Sequence, residues 1–170
     1  NDADIIFKSD DGSGGTAEYF RVDGSSVATI VSKNFAFTDN VKARFGTDDD
    51  FELYSDNSNN YINVTNNNLI IEQNANDADI ILKSDDGSGG STAYLTLDGS
   101  STAIKVAKNL EMADNVHLRA GAGDDLRIYH DGSNSSIENH TGALFIDNHA
   151  DDQDIIFRID DGGSGASEIM

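Results

Sequence analysis

Five acidic clusters contain the residue types that could ligate a hard cation such as calcium. Each places neighbouring aspartates together, in most cases beside a glycine: Asp10-Asp11-Gly12, Asp48-Asp49-Asp50, Asp85-Asp86-Gly87, Asp124-Asp125 and Asp160-Asp161-Gly162. Calcium requires six to eight oxygen ligands around one ion. Asp and Gly are also the ordinary residues of turns. The clusters therefore predict turns and no bound cofactor, and calcium binding is the alternative.

The histidines and carboxylates show no arrangement typical of a metal centre or an active site. His117, His130, His140 and His149 all lie in the second half and lack metal-ligand spacing. On a threefold axis, one histidine per chain could still make a three-nitrogen site, but no pattern requires it. Nucleophile elbow, phosphate loop and catalytic triad order are all missing. We therefore expect a protein that is not an enzyme, with no catalytic, cofactor-binding or metal residues.

A tandem repeat organises the chain and must position every one of these residues. NDADIIFKSDDGSGG at residues 1–15 recurs as NDADIILKSDDGSGG at residues 76–90, and DDQDIIFRIDDGGSG follows at residues 151–165. The offset is 75 residues each time, and no gap is needed between the copies. The predicted organisation is a first β repeat at 1–75, a second at 76–150 and the start of a third at 151–170. We expect a segment of a longer fibre.

Within each copy the apolar residues recur with a period of two, which is the period of a β-strand. Examples are Phe20 with Val22, Val41 with Ala43 and Phe45, Phe51 with Leu53, and Leu69 with Ile71, each with a counterpart 75 residues later. Turn signals separate these runs, and Asp23-Gly24 is the strongest because Gly supplies the positive φ of a type I′ hairpin turn. The pattern predicts an all-β protein with about eight short strands per 75 residues.

The composition excludes several classes of partner. The chain has 170 residues, 37% of them hydrophobic, a formal net charge of −20, and no Cys, Pro or Trp. Lys and Arg dominate binding to phosphates, so this acidity argues against nucleic acid and against anionic membranes. Disulfides are impossible, and no apolar run is long enough to insert into a membrane. Packing or assembly must therefore supply the stability.

One motif resembles a known family. Residues 124–137 read DDLRIYHDGSNSSI, which is similar to repeated units in tail fibre proteins of marine and cyanobacterial phages, and Thr141-Gly142-Ala143-Leu144 continues that similarity. The first copy departs from the motif, with Ser55 in place of His and Asn57 in place of Gly. The resemblance implies a homotrimeric β-structured shaft that leads to a host-binding tip.

Together these observations predict an elongated repeat fibre of short strands, as an intertwined homotrimeric β-helix or β-prism shaft. The expected function is a structural shaft segment of a virion tail fibre, outside the host cell, which positions a receptor-binding tip. Its expected partners are two further copies of itself, other tail fibre or baseplate proteins, and a host surface glycan. The alternatives are a carbohydrate-binding or depolymerising tailspike and a calcium-binding bacterial adhesin repeat.

Overall fold

The structure, a computed structural model, describes residues 2–160 and 166–169. Every regular element among these residues is a β-strand, which confirms the all-β prediction. No helix in the described part of the chain has the length and apolar character needed to cross a membrane. The chain divides into two units, residues 1–72 and 73–170.

The strands recur with the 75-residue offset of the sequence repeat. The first unit contains β1 (Ile5–Asp10), β2 (Thr16–Asp23), β3 (Ala28–Val31), β4 (Ala43–Phe45), β5 (Phe51–Ser55) and β6 (Asn60–Val64). The second contains β7 (Ile80–Asp85), β8 (Ser91–Asp98), β9 (Ala103–Val106), β10 (Leu118–Ala120), β11 (Leu126–His130), β12 (Ser135–Asn139), β13 (Phe157–Asp160) and β14 (Ala166–Ile169). Each full copy therefore has six strands, and the prediction of eight is wrong. The predicted strands around Leu69 and Leu144 do not form.

Consecutive strands pair antiparallel to form small sheets. Strands β1 to β3, β4 to β6, β7 to β9 and β10 to β12 each form a three-stranded sheet, and β13 pairs with β14. The ladder shifts register between Phe7 and Lys8, and again between Leu82 and Lys83, so each first sheet carries the same irregularity. All of these pairings are local in sequence, so each sheet is defined by residues of a single repeat.

The hairpin between β2 and β3 forms as predicted, but its turn differs from the prediction. Asp23 pairs with Ala28, which leaves a four-residue loop in place of a two-residue type I′ turn. Positive φ falls on Val27 (53°) and on its counterpart Thr102 (50°), and not on Gly24. A Cβ atom at Gly24 would lie 2.8 Å from the carbonyl oxygen of Ala3. Glycine is needed there because another backbone segment approaches closely.

The described residues contain no buried hydrophobic side chain. Within each unit, no described strand contacts a strand of a different sheet. The accessible surface is 13911 Å², whereas a globular monomer of 18.2 kDa exposes about 8,100 Å². The side chains that are buried are the acids Asp23, Glu52 and Asp98. The sheets form through backbone pairing, and within each unit no described strand of another sheet covers their apolar surfaces.

Candidate functional site

The first sheet of each repeat has one apolar face. Residues directly opposite each other in an antiparallel ladder lie on the same face. The register therefore places on one side Ile5, Phe7, Phe20, Val22, Thr29 and Val31 in the first repeat, and Ile80, Leu82, Leu95, Leu97, Ile104 and Val106 in the second. The rings of Phe7 and Phe20 stack at 4.2 Å between centroids. The Leu82 side chain remains 54% exposed.

The second sheet of each repeat is built in the same way. Its apolar side carries Ala43, Phe45, Phe51, Leu53, Ile62 and Val64 in the first repeat, and Leu118, Ala120, Leu126, Ile128 and Ile137 in the second. The register also places one polar residue on this side in the second repeat, Asn139, opposite Leu126 and at the position of Val64. A groove of about 470 Å³ lies against the second of these surfaces, lined in part by Met112, Val116, Ile128 and Ile137. We call these four surfaces the apolar faces, and they are the candidate functional site.

The opposite side of the first sheet carries Ile6 and Ile30 together with Arg21, and Arg21 pairs with acids of the same chain. In the first repeat Arg21 donates to Glu18 at 2.8 Å and to Asp23 at 3.1 Å. The Ser25 hydroxyl and the Ser26 amide also donate to Asp23, and together these bonds hold the pKa of Asp23 far below its ordinary value.

In the second repeat the equivalent carboxylate receives its cation from a different strand. Lys105 pairs with Asp98, and that contact is the largest cause of the strongly lowered pKa of Asp98. Arg21 lies opposite Ile30 in the ladder, and the counterpart of Arg21, Thr96, lies opposite Lys105. The cation therefore lies on β2 in the first repeat and at the directly opposite position on β9 in the second. Each repeat keeps one positive charge beside its buried turn carboxylate.

The polar side of the second sheet also differs in charge between the repeats. In the first repeat the buried Glu52 accepts from Lys42 at 2.8 Å and from Asn63 at 3.1 Å, which lowers its pKa. In the second repeat the corresponding residues are His117, Arg127 and Glu138. His117 Nδ1 and Arg127 Nε are buried there without a hydrogen-bond partner.

Glu138 accepts its strongest hydrogen bond from the Tyr129 hydroxyl, at 2.7 Å, and its second from His140, at 3.2 Å. The bond from Tyr129 lowers the pKa of Glu138 and raises that of Tyr129. The first repeat has Asn63 and Thr65 in place of Glu138 and His140, so this chain of contacts is not a feature of the repeat.

The four acidic clusters that the structure describes in full lie at turns, and several of their carboxylates accept hydrogen bonds. Asp11 Oδ1 accepts from the Ser13 amide at 2.8 Å, from the Ser13 hydroxyl at 2.8 Å and from the Gly15 amide at 3.1 Å, and these bonds lower its pKa. Asp86 accepts the same three bonds in the second repeat. In the clusters after β4 and β10, Asp49 and Asp124 pair with arginines at 2.8 Å.

Within the described residues, the acidic and histidine side chains do not converge on one point. No group of three or more His, Asp or Glu side chains there could hold a metal ion. His130 lies 3.1 Å from the Ser135 hydroxyl, His117 stacks on Tyr129, and His149 is exposed. Asp161 and Gly162 of the last cluster lie outside the described residues.

The sequence interpretation missed two aspartates that fasten the start of each repeat to its hairpin. Asp4 Oδ1 accepts from the Gly24 amide at 3.0 Å, and Asp79 Oδ1 accepts from the Gly99 amide at 3.0 Å. An aspartate recurs at the same place in the third copy, as Asp154, and this recurrence was the available signal.

The geometry is suited to association through apolar faces, and the buried carboxylates Asp23, Glu52 and Asp98 each pair with a cation of the same chain. Among the described residues it provides no group of three or more His, Asp or Glu side chains that could hold a metal ion, and its serine–histidine contact, Ser135 with His130, lies between exposed side chains. Comparison with known proteins found no matching family model, no matching curated protein and no matching solved structure.

Proposed function

We propose that this chain is a structural shaft segment of a virion tail fibre that assembles as a homotrimer through its apolar faces. The observation that carries the proposal is the presence of the same uncovered apolar faces in both repeats. The similarity of residues 124–137 to tail fibre repeats supports the assignment to a phage. In this role the protein is extracellular and not an enzyme, and it holds a glycan-binding tip away from its baseplate partners.

The exposed surface supports an obligate assembly. The chain exposes roughly 5,800 Å² more than a globular monomer of its mass. Obligate protein interfaces commonly bury about 2,000 to 5,000 Å² in total. The excess surface is therefore large enough for each chain to make extensive contacts with two neighbours.

The tandem repeat favours the proposal of a shaft over that of a globular particle. A module that recurs every 75 residues with the same strands and turns can be added along a fibre without new interfaces. An intertwined β-helix or β-prism of three chains would turn the apolar faces inward and leave the acidic turns in water. The net charge of −20 then keeps the fibre soluble.

Two neighbouring residues of β7 provide a matched test. Leu82 lies on the apolar face and is 54% exposed, whereas Ile81 lies on the opposite side and is 47% exposed. In a monomer, Leu82→Asp and Ile81→Asp should have similar effects. In the proposed trimer, Leu82→Asp loses about 1 kcal/mol of apolar burial per chain and buries an unpaired charge at a further cost of several kcal/mol.

The assay is sedimentation equilibrium over a range of protein concentrations. We expect the parent chain and Ile81→Asp to be trimers, and Leu82→Asp to need at least about 100-fold more protein for half assembly. A monomeric parent chain would refute the proposal. Equal weakening by both substitutions would show that the apolar face is not the specific contact.

A further inference from the structure

Two segments of the chain have the sequence of a strand but no strand partner. Residues 69–72 (Leu-Ile-Ile-Glu) and residues 144–147 (Leu-Phe-Ile-Asp) occupy equivalent places after β6 and after β12. Three consecutive apolar residues are typical of a strand that is covered on both sides. We call these two stretches the unpaired segments.

The backbone of the unpaired segments has no hydrogen-bond partner within the described chain. Neither segment donates or accepts a backbone hydrogen bond, although the residues just before them do: the Thr65 amide donates to Asp50 at 2.9 Å and the His140 amide to Asp125 at 2.7 Å. The pairing of each second sheet therefore ends shortly before its unpaired segment begins. Water satisfies these groups only while the segment is exposed.

The side chains of the unpaired segments are among the most exposed apolar groups in the structure. Ile70 is 77% exposed and its counterpart Phe145 is 78% exposed, and the residues on either side of each are also exposed. In a strand, Leu69 and Ile71 would point to one side and Ile70 to the other. Both sides would then need apolar cover, which the described chain does not provide.

We infer that the unpaired segments are strands of the assembled form, and that each adds to the open edge of a three-stranded sheet in a second copy of this chain. The inference rests on the proposed trimer and names the residues that would link its chains. Another backbone is the partner that satisfies unpaired amides and carbonyls in register, as in strand addition to a sheet edge. The chain supplies such edges itself, because β4 and β6 each pair on one side only, as do β10 and β12.

A second copy also suits the charge of the segments. The whole chain carries −20, so contacts between copies are least costly where few acids lie. The three apolar residues of each unpaired segment carry no charge, and its single acid, Glu72 or Asp147, stands at the end of the segment. The two repeats have the same design at this place, as expected if every repeat contributes the same link.

Hydrogen exchange of the intact assembled chain tests the inference directly. If the segments pair with other copies along one edge, alternate amides of residues 70–72 and 145–147 should exchange at least about 100-fold more slowly than their intrinsic rates. Thr47 and Asp48 serve as the internal reference, because their amides also have no backbone partner. Exchange of both segments at the rate of this reference would overturn the inference.

Proline provides a second test, because it removes the backbone donor. In a strand with a partner on one side, only alternate amides face that partner, so proline is placed at both parities: Ile70→Pro with Phe145→Pro, and Ile71→Pro with Ile146→Pro. At least one of these double variants should raise the concentration for half assembly at least about tenfold above that of the matching alanine variant, which keeps both amides. If neither proline variant differs from its alanine variant, pairing through these amides is contradicted. A trimer with rapid exchange in both segments would refute the inference and leave the proposed function standing, whereas a monomeric parent chain would refute both.

Discussion

The turn between β2 and β3 yields a pair of opposite predictions for the same substitution. Asparagine tolerates positive φ better than other residues with a side chain, so it would replace a glycine that is needed only for φ. Gly24 has no positive φ, and its environment is restricted by the carbonyl oxygen of Ala3, whereas Val27 holds a φ of 53°. We therefore expect Gly24→Asn to destabilise the protein and Val27→Asn to stabilise it.

The magnitudes follow from the local geometry. A Cβ at Gly24 would lie 2.8 Å from the Ala3 oxygen, so the backbone must move by several tenths of an ångström. That shift also disturbs the hydrogen bond from the Gly24 amide to Asp4, and overpacking of this kind costs about 1 to 3 kcal/mol. Val27 is 91% exposed, so replacing it loses little packing. Asparagine adopts the left-handed conformation with less strain than valine, and this difference gains about 1 kcal/mol.

Urea unfolding followed by circular dichroism measures both effects at one fixed protein concentration, since assembly links stability to concentration. The second repeat provides an independent copy of the experiment, with Gly99→Asn and Thr102→Asn, because Thr102 has a φ of 50°. A neutral Gly24→Asn together with a destabilising Val27→Asn would refute the reasoning and restore the role of Gly24 as the positive-φ residue.

Two further predictions concern charge. Asp23 and Asp98 have a folded-state pKa below the unfolded value, so their stabilising effect is present above about pH 4 and is lost as the pH falls through the folded pKa. Asp98→Asn should therefore reduce the fall of the urea midpoint at acid pH. If the urea midpoint of this variant falls with pH as steeply as that of the parent chain, the stabilising role of Asp98 is refuted. Raising sodium chloride from about 10 mM to about 150 mM shortens the screening length from roughly 30 Å to 8 Å. Because each chain carries −20, the melting temperature should rise, and a constant value would show that self-repulsion is unimportant.

The sequence predicted the strands that combine alternation with a nearby turn. Phe20 with Val22 and Phe51 with Leu53 lie in β2 and β5, and the hairpin at Asp23 forms. It misassigned the reason for Gly24, because the restricting carbonyl belongs to Ala3, about twenty positions earlier. It also counted the alternation of Leu69 and Ile71 as a strand, which does not form. Alternation reports which residues favour a strand, whereas a strand forms only where a partner backbone is within reach.

Comparison of the two repeats through the ladder register separates two kinds of constraint. On the opposite side of the first sheet, residues differ between the repeats while one cation stays beside the turn carboxylate: Arg21 becomes Thr96 while Ile30, directly opposite, becomes Lys105. In the sequence these two substitutions lie nine positions apart and look unrelated. In the sheet the two positions are directly opposite, so together the substitutions transfer one positive charge from one strand to its neighbour. Such a transfer is permitted because the turn carboxylate requires a cation and not a particular strand.

The apolar face of the first sheet follows a different rule. Ile5, Phe7 and Val31 are replaced by Ile80, Leu82 and Val106, and even Thr29 is replaced by an apolar residue, Ile104. In the described chain these side chains have no buried neighbours that would require them to stay apolar. A surface that stays apolar although no buried neighbour in the chain requires it is best explained by contact with another molecule. The same face on further copies of the chain can provide that contact.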